Sequence, residues 1–138
     1  MICVSKCLLG YNCRYDGKNM RNEHVIEYLK DKNYISICPE CDGGLTTPRE
    51  PSEIFEGKVY SKSGKDVTKE FELGAQLALE EAKKHGCTCA ILQENSPSCG
   101  SNFVYDGTFS GKKIEGKGIT TQLFEKHGIK VKSSNEFY

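Results

Sequence analysis

Three cysteines of this chain each stand in a short loop directly after an apolar segment. They are Cys7 in the loop 5–10, Cys38 in the loop 38–41 and Cys99 in the loop 96–100. If the apolar segments are parallel strands of one sheet, their carboxyl ends share one edge and the three thiols meet there. Thiolates bind zinc and iron–sulfur clusters, so this pattern predicts a metal centre.

The kind of metal centre depends on how many thiols reach it. Cys38-Pro39-Glu40-Cys41 is a CxxC motif, which zinc sites and thiol redox sites share. A redox site normally opens a helix, whereas Asp42-Gly43-Gly44 argues against a long helix here. A structural zinc site needs a second close pair, and Cys87-Thr88-Cys89 lies at the opposite edge of the predicted sheet. Three separated thiolates fit an iron–sulfur cubane better, because one of its four irons is then left for a small molecule.

The other five of the eight cysteines fall into two groups. Cys3, Cys87 and Cys89 lie inside or at the start of apolar strands, where a free cysteine usually acts as a small buried hydrophobe. Cys13 and Cys41 lie in loops with glycine and proline neighbours, where the backbone can approach a ligand. The choice between Cys38 and Cys41 as ligand, and the role of Cys13, stay open at this level.

Polar side chains beside these thiols are candidates for the chemistry. Glu40 is two residues from Cys38, and a carboxyl group in a partly dry pocket could act as a general base; the alternative is a solvated loop glutamate. Ser96 and Ser98 could hydrogen-bond a ligand, or the serines could only form a turn. Further polar candidates, for which surface ion pairing is the alternative, are Arg14, Asp16 and Arg49.

The elements that must position these residues alternate between apolar segments and helical patterns. Strands are predicted at 2–4, 34–37, 89–92 and 129–131, and helices at about 23–32, 67–86 and 118–127. This alternation predicts the α/β class, with a mostly parallel central sheet of about four strands flanked by helices. The segment 39–51 is predicted as a loop, and 54–66 as a small β excursion.

Composition restricts the functional class. The length of 138 residues suits one domain, predicted here over 1–138, and 37% hydrophobic residues suffice for one core. No apolar run approaches the roughly 20 residues of a membrane span, and the start lacks a signal-peptide core, so we expect a cytoplasmic protein. Basic and acidic residues number 19 each and are dispersed, which favours neither nucleic acid nor a membrane surface as partner. In the cytoplasm, eight cysteines indicate metal or thiol chemistry rather than disulfides.

Several motifs occur in order along nearly the whole chain. They are Ser5-Lys6-Cys7-Leu8-Leu9-Gly10, Cys13-Arg14-Tyr15-Asp16-Gly17, Cys38-Pro39-Glu40, Gly43-Gly44-Leu45, Thr47-Pro48-Arg49, Asp66-Val67-Thr68, Gly74-Ala75, Glu94-Asn95-Ser96-Pro97-Ser98-Cys99-Gly100 and Tyr105-Asp106-Gly107. In these motifs the chain resembles the thiouracil desulfidase family. Cys41 departs from the family pattern; it could replace Cys38 as ligand, accept a sulfur atom or have no role.

The resemblance implies a Rossmann-like α/β domain that holds a [4Fe-4S] cluster by three cysteines, here Cys7, Cys38 and Cys99. The fourth iron would bind the sulfur of a thiolated pyrimidine such as thiouracil. Water would then replace the sulfur, giving uracil and hydrosulfide without net redox change. Carried onto this sequence, Glu40 becomes the acid/base residue and Ser98 a catalytic and substrate-binding candidate.

The predicted function is therefore [4Fe-4S]-dependent desulfuration of a thiolated nucleobase, with Ser96 and Arg49 as further substrate-binding candidates. Two other functions use the same residues. The three thiolates could hold a cluster or a persulfide for delivery to a partner, without catalysis. Alternatively, Cys38 and Cys41 could form a cytoplasmic thiol redox switch.

Overall fold

The computed structural model describes residues 1–137, in which strands and helices alternate. The strands are β1 (Ile2–Ser5), β2 (Tyr34–Ile37), β3 (Ser52–Phe55), β4 (Lys58–Ser61), β5 (Cys89–Leu92), β6 (Phe103–Tyr105), β7 (Lys113–Glu115) and β8 (Lys130–Ser133). The α-helices are α1 (Glu23–Leu29), α2 (Pro39–Asp42), α3 (Thr68–Lys84) and α4 (Ile119–Lys126). Within the described range, no helix has the length and apolar character needed to cross a membrane.

Four strands form a parallel sheet in the order β2-β1-β5-β8. Ile2 is in register with Tyr34 on one side and with Cys89 on the other, and Cys89 is in register with Lys130. Helices connect successive strands of this sheet: α1 lies between β1 and β2, α3 between β2 and β5, and α4 between β5 and β8. The predicted α/β class and four-stranded parallel sheet are confirmed, and the carboxyl ends of the strands share one edge.

Alternate residues of the sheet face two separate cores. Cys3 and Ala90 are buried with Ala78 of α3 and Phe124 of α4 on one face, in the core that also contains Cys87. On the other face, the core is formed by Ile2, Val4, Leu8, Val25, Leu29 and Ile91, with Cys89 partly buried against it. This placement agrees with the interpretation of Cys3 and Cys87 as core residues.

Helix α3 contacts α2 closely at the backbone. A Cβ atom added to Gly74 would lie 1.8 Å from the carbonyl oxygen of Pro39, and one added to Gly43 would lie 2.0 Å from that of Glu70. The small residue Ala78 of α3 packs against the sheet. Gly74 instead allows the turn that follows Cys38 to lie against α3.

Two predicted boundaries differ from the structure. Helix α1 begins after Asn22, whose side chain accepts hydrogen bonds from the N–H groups of His24 and Val25, but it ends at Leu29 rather than near residue 32. The polar residues after Leu29 have no core to face and turn the chain toward β2. The predicted loop 39–51 contains α2, because Pro39 is preorganised for a first helical position and Gly43 donates its N–H to the Pro39 carbonyl.

Two antiparallel hairpins stand outside the central sheet. The predicted β excursion is the pair β3–β4, which turns at Glu56 and Gly57, both with positive φ. The second hairpin pairs β6 with β7. Strand β7 has no recognisable sequence pattern, because its three residues are all exposed and show no apolar alternation.

We expect the substitution Gly74→Ala to destabilise the protein, because the added methyl group would overlap the Pro39 carbonyl and force α2 away from α3. The expected loss in the free energy of unfolding is about 1–3 kcal/mol, measured by urea denaturation. Gln76→Ala on the exposed face of the same helix is the control, with an expected change within about 0.5 kcal/mol. A Gly74→Ala protein as stable as wild type would show that the backbone contact is not needed.

Candidate metal centre and active site

A cavity of about 430 Å³ lies at the carboxyl edge of the parallel sheet. Loops that follow β1, β2 and β5 contribute four thiols to its wall, those of Cys7, Cys13, Cys38 and Cys99. The three thiols that the sequence analysis predicts to converge therefore border one space. Cys13 contributes a fourth thiol that was not among these three, and the long loop between β1 and α1 brings it to the cavity.

Three thiols of this wall, those of Cys7, Cys13 and Cys38, are neighbours. The Cys13 thiol is within hydrogen-bonding reach of the thiols of Cys7 and Cys38, and the Cys38 thiol is also within reach of Cys41. The Sγ atoms of Cys38 and Cys41 lie 3.9 and 3.8 Å from the carbonyl oxygen of Cys13. Cys13 is thus the neighbour of both Cys7 and Cys38, and Cys99 completes the wall of the cavity.

Burial and hydrogen bonding raise the pKa values of Cys13, Cys38 and Cys99, so these three thiols are protonated at neutral pH. Burial raises the pKa of Cys99 to about 12. The pKa of Cys38 is raised by its hydrogen bond with Cys13 and by burial. The hydrogen bond with Cys38 lowers the pKa of Cys13, but the bond with Cys7 and burial outweigh it, so the pKa is raised to about 11. A metal that binds here must displace these protons.

The spacing of the donors argues against a site for one ion. Among residues 1–137, no three His, Cys, Asp or Glu side chains converge tightly enough to hold a single metal ion. The thiols are instead spread around a cavity, and thiolates are the donors that hold iron–sulfur clusters. The donor set therefore suits a cluster of several irons better than a structural zinc ion.

Cys38 and Cys41 are placed differently by the single turn of α2. Cys38 precedes the turn and lines the cavity, whereas Cys41 is not part of the cavity wall. The Cys41 Sγ atom lies 3.4 Å from Thr47 Oγ1 and 3.8 Å from Arg49 Nη1. This arrangement favours Cys38 over Cys41 as the ligand.

Glu40 lies in the cavity wall between two polar partners. Arg49 Nε donates to Oε1 and Ser96 Oγ donates to Oε2, each at 3.3 Å, and the Glu40 side chain is 18% exposed. Burial raises the pKa of Glu40, against the opposing effects of Arg49 and Ser96. The interpretation as a solvated loop glutamate is therefore wrong, and the position suits proton exchange with a bound molecule.

Arg49 connects three segments of the cavity wall. Beyond Glu40, its guanidinium donates to the carbonyl oxygens of Cys13 at 3.0 Å and Thr46 at 3.2 Å, and its backbone N–H donates to Tyr15 at 2.7 Å. Its side chain is 8% exposed. The alternative of a surface ion pair is therefore wrong for Arg49, because its donors are used inside the protein.

Ser96 and Ser98 do not share a location, although the sequence analysis treats both as ligand-binding candidates. Ser96 lines the cavity, and its Oγ accepts the N–H groups of Ser98 and Cys99, each at 3.1 Å. Ser98 is fully buried outside the cavity wall, with its Oγ 2.6 Å from Thr120 Oγ1. A catalytic or substrate-binding role for Ser98 does not fit this placement, because the loop turns its hydroxyl toward α4.

Arg14 and Asp16 form the surface pair that the sequence analysis weighed as the alternative. Arg14 Nη1 lies 3.7 Å from Asp16 Oδ2, and both side chains are partly exposed. Asp16 Oδ1 also accepts the Lys18 N–H at 3.0 Å, which closes a turn. Arg14 additionally reaches the cavity wall, whereas Asp16 does not.

Glu94 organises the loop that carries Ser96 and Cys99, a role for which the sequence analysis makes no prediction. Its side chain is 2% exposed and its carboxylate accepts hydrogen bonds from both the loop and β8. The donors are the N–H groups of Asn95, Ser101, Asn102 and Phe103, with Ser101 Oγ, Asn102 Nδ2 and Ser133 Oγ. An acidic residue between an apolar strand and a loop of small polar residues is the signal for this role, since such loops need acceptors for their N–H groups.

These hydrogen bonds decide the charge of Glu94. Burial alone would raise the pKa of this carboxyl group, but the bonds from Ser133, Asn102, Phe103 and Asn95 outweigh burial and lower the pKa to about 2. The carboxylate is therefore ionised throughout the physiological range. A charged acceptor holds several donors at once, which a neutral side chain of the same size does not do.

The fold and the site together define a class: a parallel α/β domain with a thiol-lined cavity at the carboxyl edge of its sheet and a buried carboxyl group beside the thiols. Such a site suits a thiolate-ligated metal centre that acts on a small molecule. The chain matches the model of the 2-thiouracil desulfurase family over residues 2–136, and it belongs to that family.

Three individual proteins are similar to this chain. The uncharacterised protein YbbK of Bacillus subtilis (strain 168) is 45% identical over 146 residues, covering 99% of this chain and 97% of YbbK. A solved structure, described as that of the [4Fe-4S]-dependent thiouracil desulfidase TudS, has a TM-score of 0.92 and 43% identity, covering 98% of this chain and 91% of that one. A serine hydroxymethyltransferase of Oenococcus oeni is 27% identical over 124 residues, but this chain spans only 29% of its length.

Glu94→Gln should destabilise the protein in a pH-dependent manner. Because the folded-state pKa is lowered from 4.5 to about 2, the carboxylate contributes stability above pH 4.5 and loses it as the pH falls toward 2. The shift corresponds to about 3 kcal/mol at neutral pH. Urea unfolding at several pH values should show a gap between wild type and Glu94→Gln that narrows on acidification.

The exposed helical residue Glu72 provides the matched control. Glu72→Gln should leave the free energy of unfolding within about 0.5 kcal/mol of wild type at every pH. A gap for Glu94→Gln that does not change between neutral and acidic pH would show that its charge is not what stabilises the loop.

Proposed function

We propose that this protein is a [4Fe-4S]-dependent desulfidase that removes sulfur from a thiolated pyrimidine such as thiouracil. The observation that carries the proposal is the composition of one cavity wall. Thiols from three separate strand ends and the buried carboxyl group of Glu40 border the same space. Membership of the 2-thiouracil desulfurase family and the likeness to TudS support the same reaction.

Cys7, Cys38 and Cys99 are the residues that would hold the cluster. They supply soft thiolate donors from three sides of one cavity, which is the chemistry that iron–sulfur clusters require. When bound by three thiolates, a [4Fe-4S] cluster supplies an open iron that acts as a Lewis acid toward the substrate sulfur. Cys13 and Cys41 lie outside this proposed ligand set.

The overall reaction replaces sulfur by oxygen without exchange of electrons. Thiouracil and water give uracil and hydrosulfide: a carbon–oxygen bond forms, the carbon–sulfur bond breaks, and the protons of water are redistributed. Glu40 is the proposed acid/base residue, taking a proton from the attacking water and returning it to the products. Its position in the cavity wall, held by one hydrogen bond on each oxygen, supports this role.

Ser96 and Arg49 act in this proposal mainly by fixing Glu40. The Ser96 hydroxyl donates to Glu40 and accepts two N–H groups, so its hydrogen-bonding capacity is already used. The Arg49 guanidinium is directed at Glu40, Cys13, Thr46 and Thr47. Both side chains border the cavity, and direct contact with substrate stays a prediction. The cytoplasmic location inferred from the sequence also stays a prediction.

Protein reconstituted with iron and sulfide under anaerobic conditions should release sulfide from thiouracil with multiple turnovers. Cys7→Ala, Cys38→Ala and Cys99→Ala should each lower the iron and acid-labile sulfide bound per chain and abolish sulfide release. Cys89→Ala, away from the cavity, is the control and should retain both. Cys41→Ser should retain both if Cys38 is the ligand.

Each outcome either keeps a cysteine in the proposed ligand set or excludes it. Full iron content and activity in any one of the three alanine variants would exclude that cysteine from the ligand set. Iron-loaded wild-type protein that transfers its cluster or sulfur once to an acceptor, without turnover, would indicate a carrier instead. Circular dichroism of each variant separates loss of ligand from loss of fold.

Glu40→Gln should bind the normal amount of iron but turn over more slowly, because the amide cannot exchange the proton. The expected loss in kcat is about 10²–10⁴-fold. Asp42→Asn, exposed at the end of the same helical turn, is the matched control and should keep wild-type kcat. Undiminished turnover by Glu40→Gln would exclude this residue as the acid/base group.

A further inference from the structure

Part of the cavity wall contains no thiol and has no role in the reaction described so far. It is formed by the two hairpins and the segments next to them. The residues that contribute are Pro51, Ser52, Glu53, Lys62, Tyr105, Phe109 and Gly111. A molecule whose sulfur is directed at the thiols presents the rest of its surface to walls such as this one.

Phe109 has an unusual backbone conformation in this wall. Its φ is 57°, in the left-handed region that bulky residues seldom adopt. Such a conformation persists only where the surrounding structure imposes it, and it is often found at ligand sites. The interactions that impose it are therefore informative.

Two contacts with β3 hold the loop 106–111 in place. Glu53 Oε1 accepts the N–H of Gly107 at 3.0 Å and that of Phe109 at 3.1 Å, and Glu53 is 8% exposed. Gly107 has a φ of 92°, and a Cβ atom there would lie 2.7 Å from the carbonyl oxygen of Ile54. A buried carboxyl group and a missing side chain together fix the position from which Phe109 borders the cavity.

Phe109 differs from the other aromatic residues of the cavity in what covers its ring. The Arg14 guanidinium lies over Tyr15 at 5.2 Å, and Lys113 Nζ lies over Tyr105 at 5.8 Å. Within residues 1–137, no cation is placed over Phe109 in the same manner. An aromatic side chain that borders a cavity and has no cation over its ring is available to stack on a flat heterocycle.

We propose that Phe109 stacks on the ring of the substrate and that Glu53 is the residue that positions it. This contact would favour the planar ring of the thiolated pyrimidine over a puckered ring with the same polar groups. The sulfur chemistry rests on the proposed function above, whereas binding of the ring does not depend on turnover. The two are therefore tested separately.

The test compares two ligands that share one polar edge and differ in planarity. Uracil is flat and aromatic, whereas 5,6-dihydrouracil keeps the same amide groups on a puckered ring. Calorimetry with the reconstituted protein should show tighter binding of uracil. Phe109→Leu should weaken uracil binding about tenfold and remove most of the preference, in line with the contribution of one base–aromatic contact. Phe109→Tyr should retain the preference.

Three further variants separate stacking from general damage. Phe103→Leu changes an exposed phenylalanine of the same hairpin that does not border the cavity, and it should behave as wild type. Glu53→Ala should reduce the preference for uracil as Phe109→Leu does. The variant that combines Glu53→Ala with Phe109→Leu should lose little more of the preference for uracil than either single variant, because Glu53 acts through Phe109.

Every result decides between the two proposals. Equal uracil affinity in wild type and Phe109→Leu overturns the stacking role, as does the absence of measurable uracil binding by wild type. If wild type releases sulfide from thiouracil and Phe109→Leu has an unchanged KM, the desulfidase function stands and stacking fails. If wild type releases no sulfide but Phe109→Leu loses the preference for uracil, the function fails and stacking stands.

Discussion

The buried carboxylate of Glu94 is the constraint on which the site depends. The loop after β5 carries Ser96 and Cys99 into the cavity without regular secondary structure, so its N–H groups need acceptors other than a helix or a sheet. Glu94 provides them, and burial in a low-dielectric surrounding strengthens each bond. The charge that would destabilise an apolar core is tolerated here because the loop surrounds it with donors. The same donors, in turn, have one geometry in which all of them are satisfied.

The loop that carries Cys38 is fixed in another way, by contact between backbones. Gly74 of α3 lets the Pro39 carbonyl approach, and Gly43 returns the contact from α2. At the other side of the cavity, Gly118 lies against the backbone of Ser98, so α4 supports the Cys99 loop. Close contact of main chains leaves little freedom for the loops to shift. Thiols placed on such loops keep their separation, which a rigid inorganic cluster requires.

The fold could be predicted from the periodicity of apolar residues and from the order of strands and helices along the chain. The roles of several site residues could not, because they depend on contacts between residues far apart in the sequence. Alternating apolar segments and helical patterns were sufficient to predict the parallel sheet, and the sheet was sufficient to predict that thiols 7, 38 and 99 meet at one edge. Ser98 shows the limit: its spacing from Cys99 suggests a ligand contact, yet the loop turns it toward Thr120. The roles of Glu94 and Arg49 depend on partners tens of residues away, such as Ser133 and Cys13. Hydrogen bonds of this kind have no period, so sequence patterns do not indicate them.

The hydrogen bond between Ser133 and Glu94 ties the cavity to the last strand of the sheet. Among residues 1–137, strand β8 pairs with β5 alone, at the margin of the sheet. A hydroxyl from this marginal strand nevertheless completes the set of donors around Glu94, and Glu94 in turn holds the loop that carries Cys99. The geometry at one cysteine of the cavity therefore depends on the pairing of a strand that contributes no side chain to the cavity wall.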